Sequence, residues 1–227
     1  MRESTAGRVV IVAARDEAER IGATLDALSE ALPGARLLVA DDASGDETGQ
    51  IAMQRGGWVI RRGRRHGKGG SMSAAAQAAI GEFGDDAIVL LCDADLGESA
   101  GRLSKLVDAV ERGDCDLAVA AFAEPRGGGF GLAVGYARRA VERSCGARPS
   151  APLSGQRAMR LSTLRDLVPF AGGWGMEAGM SIDAGRAGFR IEEIELPLEH
   201  RATGRTPAGF LHRARQLRDI RRAVRSR

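Results

Sequence analysis

Two aspartates, Asp93 and Asp95, flank Ala94 directly after the apolar run Ala87-Ile88-Val89-Leu90-Leu91-Cys92. That run reads as a buried parallel strand, and Leu96-Gly97 marks where the strand pattern stops. Carboxylates at i and i+2 project to one side of an extended chain. Held side by side they repel, unless a divalent cation or a hydrogen-bonded ligand lies between them and the solvent. The carboxyl edge of an open α/β sheet is also where such folds take their ligands. The expected chemistry at this point is the binding of a metal-nucleotide.

Three more groups of reactive side chains follow apolar runs in the same way. Ala14-Arg15-Asp16-Glu17 closes the run that begins at Arg8, and Asp41-Asp42 closes Arg36–Ala40. A basic, glycine-rich segment from Arg61 to Gly70, carrying Lys68, follows Trp58-Val59-Ile60. In a parallel sheet all carboxyl ends share one edge, so these groups converge although they are distant in sequence. Asp41 or Asp42 can accept a hydrogen bond from a base N–H or a ribose hydroxyl. The stretch Asp41-Asp42-Ala43-Ser44 also has the chemistry of a turn that needs no ligand. Lys68, between glycines, can reach phosphate oxygens while the backbone comes close. Asp95 can hold a divalent cation that bridges those phosphates.

The elements that must position these groups are readable from periodicity. Strands are expected at 8–14, 36–40, 58–60, 87–92 and 117–121, a short one within 155–160, and an alternating one at 189–196. Between them, Ile21, Leu25, Leu28 and Leu32 recur at helical spacing. Further helices are expected near 47–55, 71–80, 99–112, 132–145 and 172–185. The alternation predicts an α/β fold with a mostly parallel central sheet flanked by helices. The predicted organisation is one catalytic domain over residues 1–206 and a basic helical tail over 207–227.

Composition narrows the function classes. A hydrophobic fraction of 44% in 227 residues supports a full core. Aromatics at 4% argue against base-stacking platforms. Cys92, Cys115 and Cys145 are odd in number and outside any CxxC pattern, which suits buried thiols in a reducing cytoplasm rather than zinc or disulfides. No stretch reaches the roughly 18 apolar residues of a spanning helix, and none resembles a signal peptide. From Pro207 onward there are seven arginines and one acid, so a net charge of +3 conceals a mildly acidic body. This argues against a nucleic-acid-binding body and leaves the tail either as a solvated helix packed on the protein or as a peripheral contact with the inner membrane face.

The ordered series Ala13-Ala14-Arg15-Asp16-Glu17, Val39-Ala40-Asp41-Asp42-Ala43-Ser44, Gly67-Lys68-Gly69 and Asp93-Ala94-Asp95 resembles family 2 glycosyltransferases with the glycosyltransferase-A fold. The later part is similar to glucosyl-3-phosphoglycerate synthases and their relatives. There the shared pieces are Gly127-Gly128-Gly129, Pro152-Leu153-Ser154-Gly155-Gln156, Phe170 through Glu177, and His200-Arg201. The resemblance spans about residues 8–206. It implies that Ala13, Ala14, Arg15 and Glu17 line a nucleoside pocket with Asp42, and that Lys68 sits near the base or phosphates. It further implies that Asp93 contacts donor ribose or sugar, Glu177 binds sugar hydroxyls, and Asp95 and His200 ligate Mg²⁺ or Mn²⁺. Three positions depart from the pattern: Ala13 replaces a proline, Phe130 an arginine, and Gln156 a glutamate.

The activity so implied is metal-dependent transfer of a hexose from a UDP- or GDP-sugar to a hydroxyl or phosphate acceptor. That acceptor would be a small phosphorylated molecule or a lipid phosphate, and a homodimer is an admissible assembly. The alternatives are a sugar-phosphate nucleotidyltransferase and a nucleotide-sugar binding protein without turnover. The former usually opens with a glycine-rich phosphate loop, where this chain has Ala14-Arg15-Asp16-Glu17.

Overall fold

Short runs of Val, Ile, Leu and Ala that are apolar at every position, not at alternate ones, form a sheet covered on both faces. The computed structural model describes residues 7–122, 132–199 and 207–227. Its strands are β1 (Arg8–Ala14), β2 (Arg36–Asp41), β3 (Trp58–Arg61), β4 (Ile88–Asp93), β5 (Leu117–Phe122), β6 (Arg157–Arg160) and β7 (Ile191–Leu196). They join one sheet in the order β3-β2-β1-β4-β6-β5-β7. Strands β1 to β4 pair in parallel, as does β5 with β7, while β6 runs antiparallel to both its neighbours. The mostly parallel sheet expected from the alternation is therefore present, with one reversed strand that periodicity does not reveal.

The helices are α1 (Ile21–Ala31), α2 (Thr48–Gln54), α3 (Gly67–Glu82), α4 (Ser104–Arg112), α5 (Leu132–Cys145), α6 (Leu161–Leu167), α7 (Met176–Arg186) and α8 (Pro207–Arg225). Two 3₁₀ turns, Gly97–Leu103 and Gly173–Gly175, precede α4 and α7. Alternate residues of the central strands divide between two cores. Val10, Val12, Leu37, Val39, Leu90 and Cys92 pack with α1 and α4, whereas Val9, Ile11, Leu38, Ala40, Val89 and Leu91 pack with α3, α6 and α7. Burying an aliphatic side chain of this size contributes about 1.5–3 kcal/mol, so the double-sided sheet is the largest stabilising feature. A third, smaller cluster of Ala137, Ala178 and Ile220 joins α5, α7 and α8.

Two elements differ from expectation for identifiable reasons. Helix α3 begins at Gly67, not at Ser71, so Lys68 lies in its first turn and not in a loop. Helix α6, unforeseen, follows β6 directly and buries Leu161, Leu164 and Leu167. Among the described residues no helix is long and apolar enough to cross a membrane. His200 and the stretch 123–131, with Gly127-Gly128-Gly129 and Phe130, lie outside the described residues.

The thiols of the core are inert by placement. Burial, reinforced by the charge of Asp93, raises the Cys92 thiol above its usual range, and burial beside Glu192 and Asp114 pushes Cys115 up to about 11. As pH rises from 9 toward 11, the unfolded chain releases the Cys115 proton while the folded chain retains it, so stability falls across that window. We expect Cys115→Ala to flatten the drop in melting temperature between these pH values. A thiol reagent at pH 8 should label half-buried Cys145 well before Cys92 or Cys115. Equal labelling of all three in the native protein would contradict this assignment.

Candidate active site

Register brings the strand-end groups together. Ala13 of β1 lies opposite Asp93 of β4, and Ala14 lies opposite Asp41 of β2. Beyond β1 the chain crosses to β2 on one side, while β4 lies on the other, so a crevice opens where strand order reverses. Asp41 continues β2, Arg61 ends β3, and the Nε of Arg61 stands 3.6 Å from Asp41 Oδ2.

The loops after β1 and β2 are stapled to each other. Ser44 Oγ accepts from the Asp16 N–H at 3.1 Å, and Asp16 Oδ1 accepts from the Gly45 N–H at 2.7 Å. The Glu17 N–H donates to Thr48 Oγ1 at 2.8 Å. Asp16 and Ala43 hold left-handed backbone conformations, φ 53° and 58°, which side chains other than glycine rarely adopt. Such strain persists only where the surroundings over-determine it, and it concentrates at binding sites. Arg15 is exposed beside Asp16, with Nε 3.5 Å from Asp16 Oδ2, whereas Ala13 and Glu17 are half-buried.

The adjacent acids at the end of β2 do different work. Asp41, fully buried, accepts from the Ser44 N–H and Oγ through Oδ1, a side-chain turn, while its Oδ2 has no hydrogen-bond donor. Asp42 anchors α3: Oδ1 accepts from the His66 N–H at 2.7 Å and Ser71 Oγ at 2.8 Å, and Oδ2 accepts from the Gly67 N–H at 3.0 Å. A carboxylate at a helix N-terminus satisfies orphan amides and complements the dipole. That anchor explains why α3 starts four residues early and why Lys68 is fixed rather than mobile.

The centre of the site is an ion cluster built from three elements. Lys68 Nζ of α3 lies 2.6 Å from Asp93 Oδ1 of β4 and 2.8 Å from Glu177 Oε1 of α7. Burial would lower the lysine, but the two carboxylates outweigh it and hold the ammonium above the usual lysine range. Gln156 Nε2 donates to Asp93 Oδ2 at 2.8 Å, and Ser154 Oγ donates to Gln156 Oε1 at 3.1 Å. Gly155 is the residue of closest approach: a Cβ there would stand 2.5 Å from Lys68 Nζ and 2.9 Å from Asp93 Oδ2. Asp95, half-buried, follows in the turn, where its carbonyl accepts from Arg20 Nη1 at 3.1 Å. Buried Ala94 is tied to α1 through Thr24 Oγ1, which donates to its carbonyl at 2.8 Å.

Behind this cluster lies a residue to which sequence reasoning gave no role. Arg157, 1% exposed, donates from Nε to the Ser154 carbonyl at 2.9 Å and from Nη1 to Ser181 Oγ at 3.1 Å. It thereby joins the Gln156 loop to the helix that carries Glu177. Burial pushes its guanidinium down to about 10, with Glu177 and Glu193 pulling the other way. The available signal was an arginine opening a short strand that is otherwise apolar at Ala158 and Met159.

Among the described residues no three Asp, Glu, His or Cys side chains form a closed metal cage. A hard cation such as Mg²⁺ is usually held by one or two carboxylates, with phosphates and water supplying the rest. Asp93 and Asp95, at the end of β4, have the donor chemistry for an ion of that kind.

The chain belongs to a family of sugar-transferring enzymes: the model described as Glycosyl transferase family 2 matches residues 9–168. Undecaprenyl-phosphate mannosyltransferase of Micrococcus luteus is 30% identical over 212 residues, covering 86% of this chain and 85% of that protein. Among solved structures, glucosyl-3-phosphoglycerate synthase from Mycobacterium tuberculosis with phosphoglyceric acid superimposes with a TM-score of 0.79 and 26% identity, covering 98% of this chain and 80% of that one. The same synthase with Mn²⁺, UDP-glucose and phosphoglyceric acid gives a TM-score of 0.77 at 26% identity, covering 98% and 79%. With Mg²⁺ and UDP it gives 0.77 at 25% identity, again covering 98% and 79%. The protein is therefore a glycosyltransferase on the glycosyltransferase-A fold.

Removing the central cation tests the cluster. Lys68→Met should destabilise the protein by about 3 kcal/mol in urea denaturation, because it leaves a buried carboxylate uncompensated. Adding Glu177→Gln should recover part of that loss. Equal stability of wild type and Lys68→Met would mean that the ion cluster does not hold these elements together.

Proposed function

We propose that this enzyme transfers a hexosyl group from a UDP- or GDP-sugar to a hydroxyl or phosphate oxygen of an acceptor bearing a phosphate, with Mg²⁺ or Mn²⁺ present. The observation that carries this reading is the position of Lys68, between Asp93 and Glu177 at the carboxyl edge of the sheet. Sugar hydroxyls need acceptors, and a diphosphate needs cations; the cluster supplies both within one salt-bridge length. Relatives support the donor class, since the synthase is crystallised with UDP, UDP-glucose, Mn²⁺ and Mg²⁺. The same relatives, named for a phosphoglycerate and an undecaprenyl phosphate, share phosphate chemistry on the acceptor side.

In this reading Ala13, Ala14, Arg15 and Glu17, with Asp41 and Asp42, form the nucleoside side of the crevice. Asp42 acts by fixing α3 and Lys68, and Asp41 retains an oxygen without a hydrogen-bond donor. Lys68 exchanges carboxylate for phosphate oxygens when the donor enters, which frees Asp93 and Glu177 to accept from ribose or sugar hydroxyls. Gln156 keeps Asp93 oriented during that exchange. Asp95, together with His200, would hold the cation. When bound, the cation neutralises charge that develops on the departing diphosphate. Residues 1–206 constitute the catalytic unit, to which α8 is appended.

A thermal-shift screen of nucleoside diphosphates, each with and without Mn²⁺, tests this assignment, because a ligand that binds only the folded state raises stability by mass action. UDP or GDP should raise the melting temperature, and Mn²⁺ should enlarge the rise. Asp95→Ala should abolish the metal-dependent part and leave the nucleotide-only part. No shift with any nucleoside diphosphate would defeat the donor assignment, and an undiminished metal effect in Asp95→Ala would remove Asp95 from the site.

A further inference from the structure

The arginines of α8 have no part in the chemistry above, yet their arrangement is specific. Arg218, Arg221, Arg222 and Arg225 are exposed and follow the i, i+3, i+4, i+7 spacing of one helix face. The opposite face seats the helix: Ile220 and Ala223 are buried, and Asp219 points inward at Gly173. Like charges at this spacing destabilise a helix. Proximity to the helix C-terminus offsets this for Arg222 and Arg225, but not for Arg218 and Arg221. Asp219 lies 3.6 Å from Arg218, and Arg221 stacks over Tyr136 at 5.5 Å. Among the described residues no carboxylate pairs with Arg221, Arg222 or Arg225. Leu217, Ser226 and these four arginines line an open cavity of about 670 Å³.

We propose that this outer face of α8 is a docking surface for the anionic headgroups of a lipid bilayer. Charge complementarity selects an anionic partner. The body over residues 1–206 carries a net −3 against +6 from Pro207 onward, which disfavours an extended nucleic acid lying along the protein. Leu217 lines the arginine face. Arginine heads beside an aliphatic side chain suit the headgroup boundary, where a polar end and an apolar body are accommodated together. The surface also lies close to the site, since α8 rests on Gly173 and Gly175, and a Cβ on Gly67, next to Lys68, would stand 3.4 Å from Gly173. The proposal concerns binding and is independent of which acceptor the enzyme uses.

Flotation of the full chain with vesicles provides the test. The chain should float with vesicles containing phosphatidylglycerol, remain behind with pure phosphatidylcholine, and dissociate as salt is raised. Arg218→Gln/Arg221→Gln/Arg225→Gln should lower the partition coefficient on the order of a hundredfold, roughly fivefold for each arginine. An unchanged melting temperature would show that the triple variant is folded. If it melts early, Arg222→Gln/Arg225→Gln, which breaks no ion pair, should still lose roughly twenty-five-fold. Equal partition onto neutral and anionic vesicles would overturn the proposal, as would unchanged partition in the folded variant. So would displacement by inorganic phosphate at constant ionic strength, or tighter binding to duplex DNA than to vesicles.

Discussion

A buried carboxylate is costly unless something of opposite charge stands beside it, and at the centre of this protein that something is Lys68. Its ammonium faces Asp93 of β4 and Glu177 of α7, and it is itself carried by α3. The sheet, α3 and α7 are thus tied at one atom. Around that atom the remaining polar groups are arranged in order: Asp42 fixes the helix that carries the lysine, Gln156 fixes the aspartate, and Arg157 fixes both the Gln156 loop and α7. Each of these partners is internal to the chain, so the site is organised before any ligand arrives. Preorganisation of this kind matters for a group-transfer enzyme, because fixed charges need no rearrangement as the reaction proceeds.

The strand-end groups of β1, β2 and β4 were legible because their signals are local. An apolar run followed by Asp93-Ala94-Asp95 specifies a strand and an edge, and parallel pairing then gathers the other strand ends without further information. Lys68 reaches that edge, but its place in a helix depends on Asp42, a contact across 25 residues that no local pattern encodes. The reversed direction of β6 was equally invisible: four residues, Arg157-Ala158-Met159-Arg160, carry no mark of orientation. Helix α6 is too short for its spacing of Leu161, Leu164 and Leu167 to stand out from its surroundings. The one mark of Arg157 in the sequence, an arginine opening a short apolar strand, does not reveal its hydroxyl and carbonyl partners. Its role rests entirely on tertiary packing.

Family membership and geometry inform different parts of the molecule. The family model spans β1 through α6, the part that carries Asp16, Asp42, Lys68 and Asp93. The remainder, α7, β7 and α8, supplies Glu177 and the basic surface, and it is joined to the first part both by the pairing of β7 with β5 and by side-chain contacts such as Lys68 with Glu177. The relatives named for a phosphoglycerate and an undecaprenyl phosphate cover 98% and 86% of this chain, so the framework they share includes both parts.

The reversal of β6 has a structural corollary. In the parallel strands the chain passes through the sheet and leaves at the reactive edge, but here it arrives at that edge and then enters the sheet. The segment before Arg157 is thus suspended over the crevice, clamped at one end by Glu193, which accepts from the amides of Ser150 and Ala151, and at the other by Gln156. Apart from Gly155, where a Cβ would meet Lys68 and Asp93, a span fixed at both ends can change composition between its anchors without shifting any strand. Variation along this bridge would accordingly leave the ion cluster beneath it in place.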